Sequence, residues 1–301
     1  LYAPKNSIHL CQGLRGNGLI KYAQKVIRKR NLSHWVMVET IDDIGLLGTI
    51  KRIVYRLLFF YWCKKITGVL AIGRNTPEWF IARGIDRNRI YPFAYFLKEP
   101  KTKRLLKLSI KKKLPFKFVF IGELIKLKKV DLLIKSIAAL KSKEIELWIV
   151  GSGPEEKYLK SLANLLLSKI KVKWLGVVPN TELPNIIYQA NCLVLPSRHD
   201  GWGAVVSESL MVGTPVICSD KCGSSVVVQA SGVGGVFTAN NQQSLIVSLR
   251  TQLRKGHLST KERKKIIEWS KCLNATSGAK YLESILNLNN HKVNLIKLPW
   301  N

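Results

Sequence analysis

Residues 199–220, HDGWGAVVSESLMVGTPVICSD, set Asp200 and Glu208 eight positions apart around Gly201 and Gly203, ahead of a helical run that stops at Gly213-Thr214-Pro215. A loop that enters a helix near Gly203 or Ala204 leaves free N–H groups at the positive end of the helix dipole, a place for a phosphate or diphosphate. The glycines let the backbone approach such a ligand closely. Glu208, about one turn inside the helix, reaches sideways, where a carboxylate accepts hydrogen bonds from a pair of ribose hydroxyls. Asp200, ahead of the helix, is placed to hold a sugar on the phosphate's far side. The bland alternative is a capped helix and a turn, with both carboxylates as surface charges.

That choice turns on the elements around the block. Short apolar and β-branched runs alternate with helical stretches, the pattern of a parallel sheet covered on both faces. In the first half the runs predict strands over 7–11, 35–39, 68–72 and 89–93, with helices near 16–30, 45–66 and 76–83. In the second half they predict strands over 116–121, 145–150, 171–175, 192–195, 215–218 and 234–237. Helices fall between these, at 129–141, 154–168, 181–189, 203–212, 223–230 and 241–254, and beyond them at 260–271 and 274–287. Ligands of such sheets bind beyond the carboxyl ends of the strands. Four suspicious loops leave such ends: Gly122-Glu123, Gly151-Ser152-Gly153-Pro154, the stretch GVVPNTELP after 175, and PSRHDGWG after 195. Their convergence on one edge favours a site over a capped turn.

The chain has 301 residues with 49 Lys and Arg against 19 Asp and Glu, a formal charge of +30. Such a balance suits anionic membranes, nucleic acids or phosphorylated substrates, or else reflects a Lys-, Ile- and Asn-rich compositional habit. No helix-turn-helix, zinc module or aromatic RNP strand supports nucleic acid. Six scattered cysteines lack a zinc pattern and read as free thiols of a reducing cytoplasm. The opening, LYAPKNSIHLC, lacks the apolar run of a secretory signal, and no segment has the ~20 apolar residues of a membrane span. Residues 46–70 mix Leu57 to Trp62 with Lys51, Arg52, Arg56, Lys64 and Lys65, either an interfacial helix or a buried one with a basic rim. The expected organisation is a domain over 1–97, a basic linker over 98–115, a larger domain over 116–287 and a tail over 288–301. The chain opens on Leu1, and its first half has fewer expected strands, so the sequence predicts that part of the N-terminal domain is absent.

The block DGWGAVVSESLMVGTPVICSD resembles the signature of GT-B retaining glycosyltransferases of the family 4 type: two acidic residues separated by seven, a Gly-aromatic-Gly loop and a GTPV-like turn. The resemblance covers most of residues 69–287, with FVFIGELIKLKKVDLLIKSI, LWIVGSGPE and VKWLGVVPNTELPNIIYQANCLVLPS among its segments. It implies two Rossmann-like doubly wound domains facing a cleft, the N-terminal one incomplete here. Asp200 matches the first acidic residue, beside the reacting carbon of the donor sugar, and Glu208 the second, on the donor's ribose. Lys128 matches the lysine that neutralises the diphosphate leaving group. Gly201, Trp202, Gly203, Ala204 and Val205 match the loop over sugar and phosphate, next to Gly122 at its own strand end. The backbone at Val177 and Val178 matches the segment against the nucleobase. Asp200 is one methylene shorter than the usual Glu. Glu123 stands where many members carry an arginine for the diphosphate, and Lys126 or Arg198 is the candidate replacement.

The resemblance further implies transfer with retention from a nucleotide sugar, UDP-linked first and GDP-linked next, without a metal or other cofactor. The acidic pair Asp42-Asp43 reads as a helix cap rather than a metal site. Lys128 and the helix N-terminus stabilise the departing diphosphate, which can take the acceptor's proton. The acceptor is a saccharide or a polyprenyl-diphosphate-linked sugar of surface polysaccharide synthesis. It is bound mainly by the N-terminal half, at an anionic membrane on the cytoplasmic face of the inner membrane. Competing readings are a sugar-nucleotide-binding protein without transfer, a basic nucleic-acid or membrane binder, and an epimerase of the same architecture.

Overall fold

Runs such as FKFVFI and IELWIV are apolar at nearly every position, as strands covered on both faces must be. In the computed structural model, which describes residues 3–14, 17–40, 46–101, 115–142, 144–287 and 296–301, these runs form two all-parallel sheets. The first has the order β1-β2-β3-β4, from Ile8–Gln12, Ser33–Glu39, Gly68–Ile72 and Ile90–Phe93. The second comprises β5 (Phe116–Ile121), β6 (Ile145–Val150), β7 (Lys171–Gly176), β8 (Cys192–Leu195), β9 (Val216–Ser219) and β10 (Gly234–Phe237). Its order is β10-β9-β8-β5-β6-β7. The chain therefore winds outward from β5 in one direction, returns to β8 beside it, and winds outward in the other. This doubly wound order places the switch point between β5 and β8.

The chain divides into two compact units, residues 1–94 with 279–298, and residues 95–278 with 299–301. Most of the basic run 98–115 falls on 102–114, Asp42-Asp43 falls on 41–45, and the tail falls largely on 288–295, all outside the described residues.

In the first unit, α1 (Leu19–Lys29), α2 (Leu46–Trp62) and α3 (Thr76–Ile81) connect the strands. The helix α2 buries Phe59 among Val36, Val69, Trp79 and Phe80, with the Phe59 and Phe80 rings edge to face at 5.4 Å. Its other side leaves Ile50, Ile53, Leu57 and Phe60 in solvent, Phe60 to 84%. The spacing of these four follows a helical stripe, and Lys51, Arg52 and Arg56 are exposed along it. So the helix is anchored by one face and exposes apolar side chains on the other.

In the second unit the described helices are α4 (Val130–Ala138), α5 (Glu156–Leu166), α6 (Leu183–Gln189), α7 (Ala204–Met211), α8 (Ser225–Ser231), α9 (Gln242–Lys255), α10 (Thr260–Ser270) and α11 (Ala275–Leu286). The last runs on across residue 278, where the first unit resumes. The helix expected over 129–141 is α4, and a 3-10 turn, Lys126–Lys128, precedes it. Lys129 between them has a left-handed φ of 52°, which breaks the helical path and turns Lys128 away from α4.

The helix that carries Glu208 is held at its far end by a buried cation. Arg263, on α10, donates to Thr214 Oγ1 at 2.9 Å, to the Ala190 carbonyl at 2.9 Å and to the Gly213 carbonyl at 3.4 Å. Its guanidinium lies over the Tyr188 ring at 4.7 Å, and burial lowers its pKa to about 10, so it stays charged at neutral pH. The turn comes so close that a Cβ on Gly213 would meet the Arg263 carbonyl oxygen at 2.7 Å. Arg263→Ala would strand the Ala190 carbonyl and open a cavity. It is expected to lower the free energy of unfolding by about 3 kcal/mol in urea denaturation. Arg263→Lys should recover only part of it, because one ammonium cannot reproduce the planar fork.

Candidate active site

The loop after β5 and the loop after β8 flank the switch point, and the structure joins them there. Lys128 Nζ lies 2.6 Å from Asp200 Oδ2, with the two side chains only 20% and 14% exposed. Beneath that pair the backbones are tied: the Arg198 amide donates to the Leu127 carbonyl at 2.8 Å. On its other side the Asp200 stretch bonds to the turn after β9, through Asp200 N to Lys221 O at 3.2 Å, Gly223 N to Asp200 O at 2.9 Å and Ser224 N to Trp202 O at 2.9 Å. The loop is thus fixed from both flanks before any ligand arrives.

Gly203 is the N-cap of α7, so the free amides of this helix open where Asp200 and Gly201 precede it. No side chain caps that end. Glu208 is half-buried on the helix, and burial raises its carboxyl above the ordinary carboxylate range. A carboxyl in that state gains from hydroxyl donors, which favour its charged form.

Trp202, in the loop expected over sugar and phosphate, turns its side chain inward. Its side chain is fully buried, its Nε1 donates to Ser207 Oγ at 3.1 Å, and its ring meets Tyr95 edge to face at 6.5 Å. An indole beside an apolar interior gains more from burial than from a polar loop surface, so Trp202 shapes the loop from beneath. Gly201, Ala204 and Val205 are half-buried around it.

The neighbouring loops on the carboxyl edge pack backbone to backbone. Leu124 N donates to Ser152 O at 2.9 Å and Glu155 N to Leu124 O at 3.0 Å. At Gly151, with φ at 125°, a Cβ would lie 1.9 Å from the Gly122 carbonyl oxygen, so only glycine fits this approach. Glu123, next to Gly122, is exposed. Lys126 and Arg198 line one cavity of about 660 Å³ with Lys129, Asp131, Glu155 and Tyr158, and neither Lys128 nor Asp200 is among its lining residues. Val177 follows β7 at 76% exposure and Val178 is half-buried, at the far end of the same sheet edge. The structure therefore joins Lys128 to Asp200 and Lys126 to Arg198, and leaves Val177 and Val178 on a separate loop.

Arg263, Ser207 and the left-handed Lys129 escaped the sequence reading. Gly213-Thr214-Pro215 signalled a tight stop, but its partner lies 50 residues on along the chain. Among the described residues no group of three His, Cys, Asp or Glu side chains could hold a metal ion.

A fixed ion pair at a switch point, beside an open helix N-terminus and a carboxyl awaiting donors, can bind a diphosphate and a polyhydroxyl group side by side. The family model described as glycosyl transferases group 1 matches residues 103–271. An uncharacterized glycosyltransferase of Methanocaldococcus jannaschii is 31% identical over 120 residues, 40% of this chain and 30% of that one. The match spans 30% of that relative and 25% and 37% of two other curated glycosyltransferases, so the chain covers well under two thirds of their length. Among solved structures, the lipopolysaccharide outer core galactosyltransferase WaaB superposes with a TM-score of 0.69 at 18% identity, over 88% of this chain and 71% of that one. The Anabaena protein HepE in complex with UDP also gives 0.69, at 16% identity, over 88% and 75%. These neighbours are GT-B glycosyltransferases. The match over more than half of its residues places the chain in the glycosyl transferases group 1 family, with the GT-B fold.

Proposed function

We propose that the chain transfers a hexose from a nucleotide sugar, UDP-linked before GDP-linked, to a saccharide or polyprenyl-diphosphate-linked acceptor of surface polysaccharide synthesis, with retention and without a metal. The carrying observation is the Lys128–Asp200 pair across the switch point, at the open N-terminus of the helix that bears Glu208. The HepE structure holds UDP and WaaB is a lipopolysaccharide outer core galactosyltransferase, which supports a uridine nucleotide and a saccharide acceptor. The exposed apolar stripe of α2 beside Lys51, Arg52 and Arg56 supports work at the cytoplasmic face of an anionic membrane.

In this reading the donor's diphosphate lies at the amides before Ala204, its ribose hydroxyls donate to Glu208 and its sugar hydroxyls donate to Asp200. Lys128 has three N–H donors, so it keeps Asp200 with one and takes a phosphate oxygen with another. As the anomeric C–O bond breaks, its electron pair goes to the diphosphate, whose growing charge Lys128 and the helix amides stabilise. The acceptor oxygen bonds the anomeric carbon on the face the diphosphate leaves, and its proton passes to the departing phosphate oxygen.

Titration with UDP and GDP at about 0.15 M salt, where screening suppresses the pull of the basic surface, should show saturable binding that favours UDP. Glu208→Ala should weaken it by about 10- to 100-fold, since a charged acceptor loses its donors. Equal, unsaturable binding of both nucleotides would overturn the donor site. The raised carboxyl of Glu208 adds a pH dependence. Ribose hydroxyls favour its ionised form, so affinity should fall as pH drops through a midpoint above the ordinary carboxylate range, and Glu208→Gln should flatten that profile. In a transfer assay Lys128→Ala should lower kcat by about 10²- to 10³-fold with a smaller change in KM. A chain that binds UDP and turns over no UDP-sugar would be a binding protein instead.

A further inference from the structure

The first unit has a second basic cavity, at the amino-terminal edge of its sheet. Residues that immediately precede β2, β3 and β4 form it, so it lies at the opposite end of these strands from their carboxyl edge. Its volume is about 290 Å³, and Arg28, Lys64, Lys65, Arg89, Asn31 and Thr67 line it, with Leu32 and Ile66 but no carboxylate. Four cations thus converge from the end of α1, the 3-10 turn after α2 and the start of β4.

Cations at helix C-termini complement the helix dipoles, and the two arginines serve that purpose. Arg89 Nη1 lies 3.3 Å from the Cys63 carbonyl and 3.4 Å from the Ile66 carbonyl, and Arg28 lies over the Trp62 ring at 5.0 Å. These contacts fix both guanidinium groups. Lys64 and Lys65, exposed beside them, add two more charges at a place where like charges repel. Thr67 Oγ1 accepts from the His34 amide at 3.0 Å, which leaves its own O–H to donate. Fixed arginine forks, two mobile ammonium groups and a hydroxyl donor are the complement of a phosphate-class oxyanion. The size, near the ~300 Å³ lower limit of small-molecule sites, suits a phosphate or diphosphate group better than a whole nucleotide.

We infer that this cavity is an oxyanion site for a phosphate-bearing group, separate from the donor residues, all of which lie in the second unit. The group comes from a lipid head group or from a soluble phosphate. The exposed stripe Ile50, Ile53, Leu57 and Phe60 runs along α2, which leads into the 3-10 turn that carries Lys64 and Lys65, as acyl chains beside a bound head group would require.

The test uses the full chain and two charge-matched variants, K64Q/K65Q in the cavity and K51Q/R52Q on α2. All four side chains are exposed, and thermal unfolding confirms that both variants fold. Each protein is titrated with sodium pyrophosphate and sedimented with phosphatidylglycerol vesicles at about 0.15 M salt. The site predicts that K64Q/K65Q weakens binding at least about tenfold in one arm, with K51Q/R52Q changing it much less. A selective loss in the pyrophosphate arm identifies a soluble phosphate as the source. A selective loss confined to the vesicles identifies the lipid head group. Equal losses in the two variants, or none, would mean a diffuse basic surface and overturn the site. Pyrophosphate held at Lys128 and the α7 amides is common to all three proteins, so only the difference between the variants reads the cavity, and the vesicle arm needs no donor site; this inference and the transferase reading therefore fail separately.

Discussion

Two residue pairs, Phe118 with Cys192 and Val119 with Leu193, join β5 to β8, and at that short ladder the halves of the six-stranded sheet meet. All strands there are parallel, so each must be reached by a crossover, and every carboxyl end faces the same way. Beyond the ladder the chain from β5 and the chain into α7 must diverge toward opposite faces. A crevice opens where they part. Lys128 and Asp200 meet over it because each is the residue its loop delivers to that gap.

The support for this gap is apolar and remote. β5, β6, β8 and β9 are buried almost throughout, so the loops stand on a rigid floor. Two of the buried polar groups hold the end of α7: Arg263 binds the turn after it, and Ser209 Oγ donates to the Thr214 carbonyl at 3.0 Å within the same turn. Buried polar groups need partners, and here the partners are the carbonyls that the end of α7 and the turn beyond it leave over. One buried guanidinium thereby fixes where α7, the helix of Glu208, stops.

The alternation of strands and helices was legible because fully buried parallel strands are written as unbroken apolar runs. The four loops of the carboxyl edge followed from it. What stayed hidden were pairings across the chain. Lys128 could be assigned a role only through a resemblance, and nothing in the spacing of residues 128 and 200 announces a 2.6 Å contact. Trp202 looked like a loop aromatic because its neighbours are glycines and polar residues, whereas the side chain turns inward to reach Ser207. Lys129 gives no sign in its residue type of the left-handed φ that separates α4 from the 3-10 turn before it. The stripe of α2 was ambiguous for a different reason: a helix apolar on both faces carries no periodic signal for which face is covered.

The ion pair over the crevice also sets the terms on which any anion enters. In a chain of charge +30 a bare lysine at a helix N-terminus would attract every small phosphate within reach. Asp200 neutralises that lysine in advance. An anion that took Lys128 without offering hydroxyls in exchange would strand a carboxylate that is only 14% exposed, an unfavourable state in so dry a place. A ligand that brings both a diphosphate and a sugar leaves neither partner wanting. The pair thus disfavours an anion that would draw Lys128 off Asp200 relative to one that shares the lysine with it.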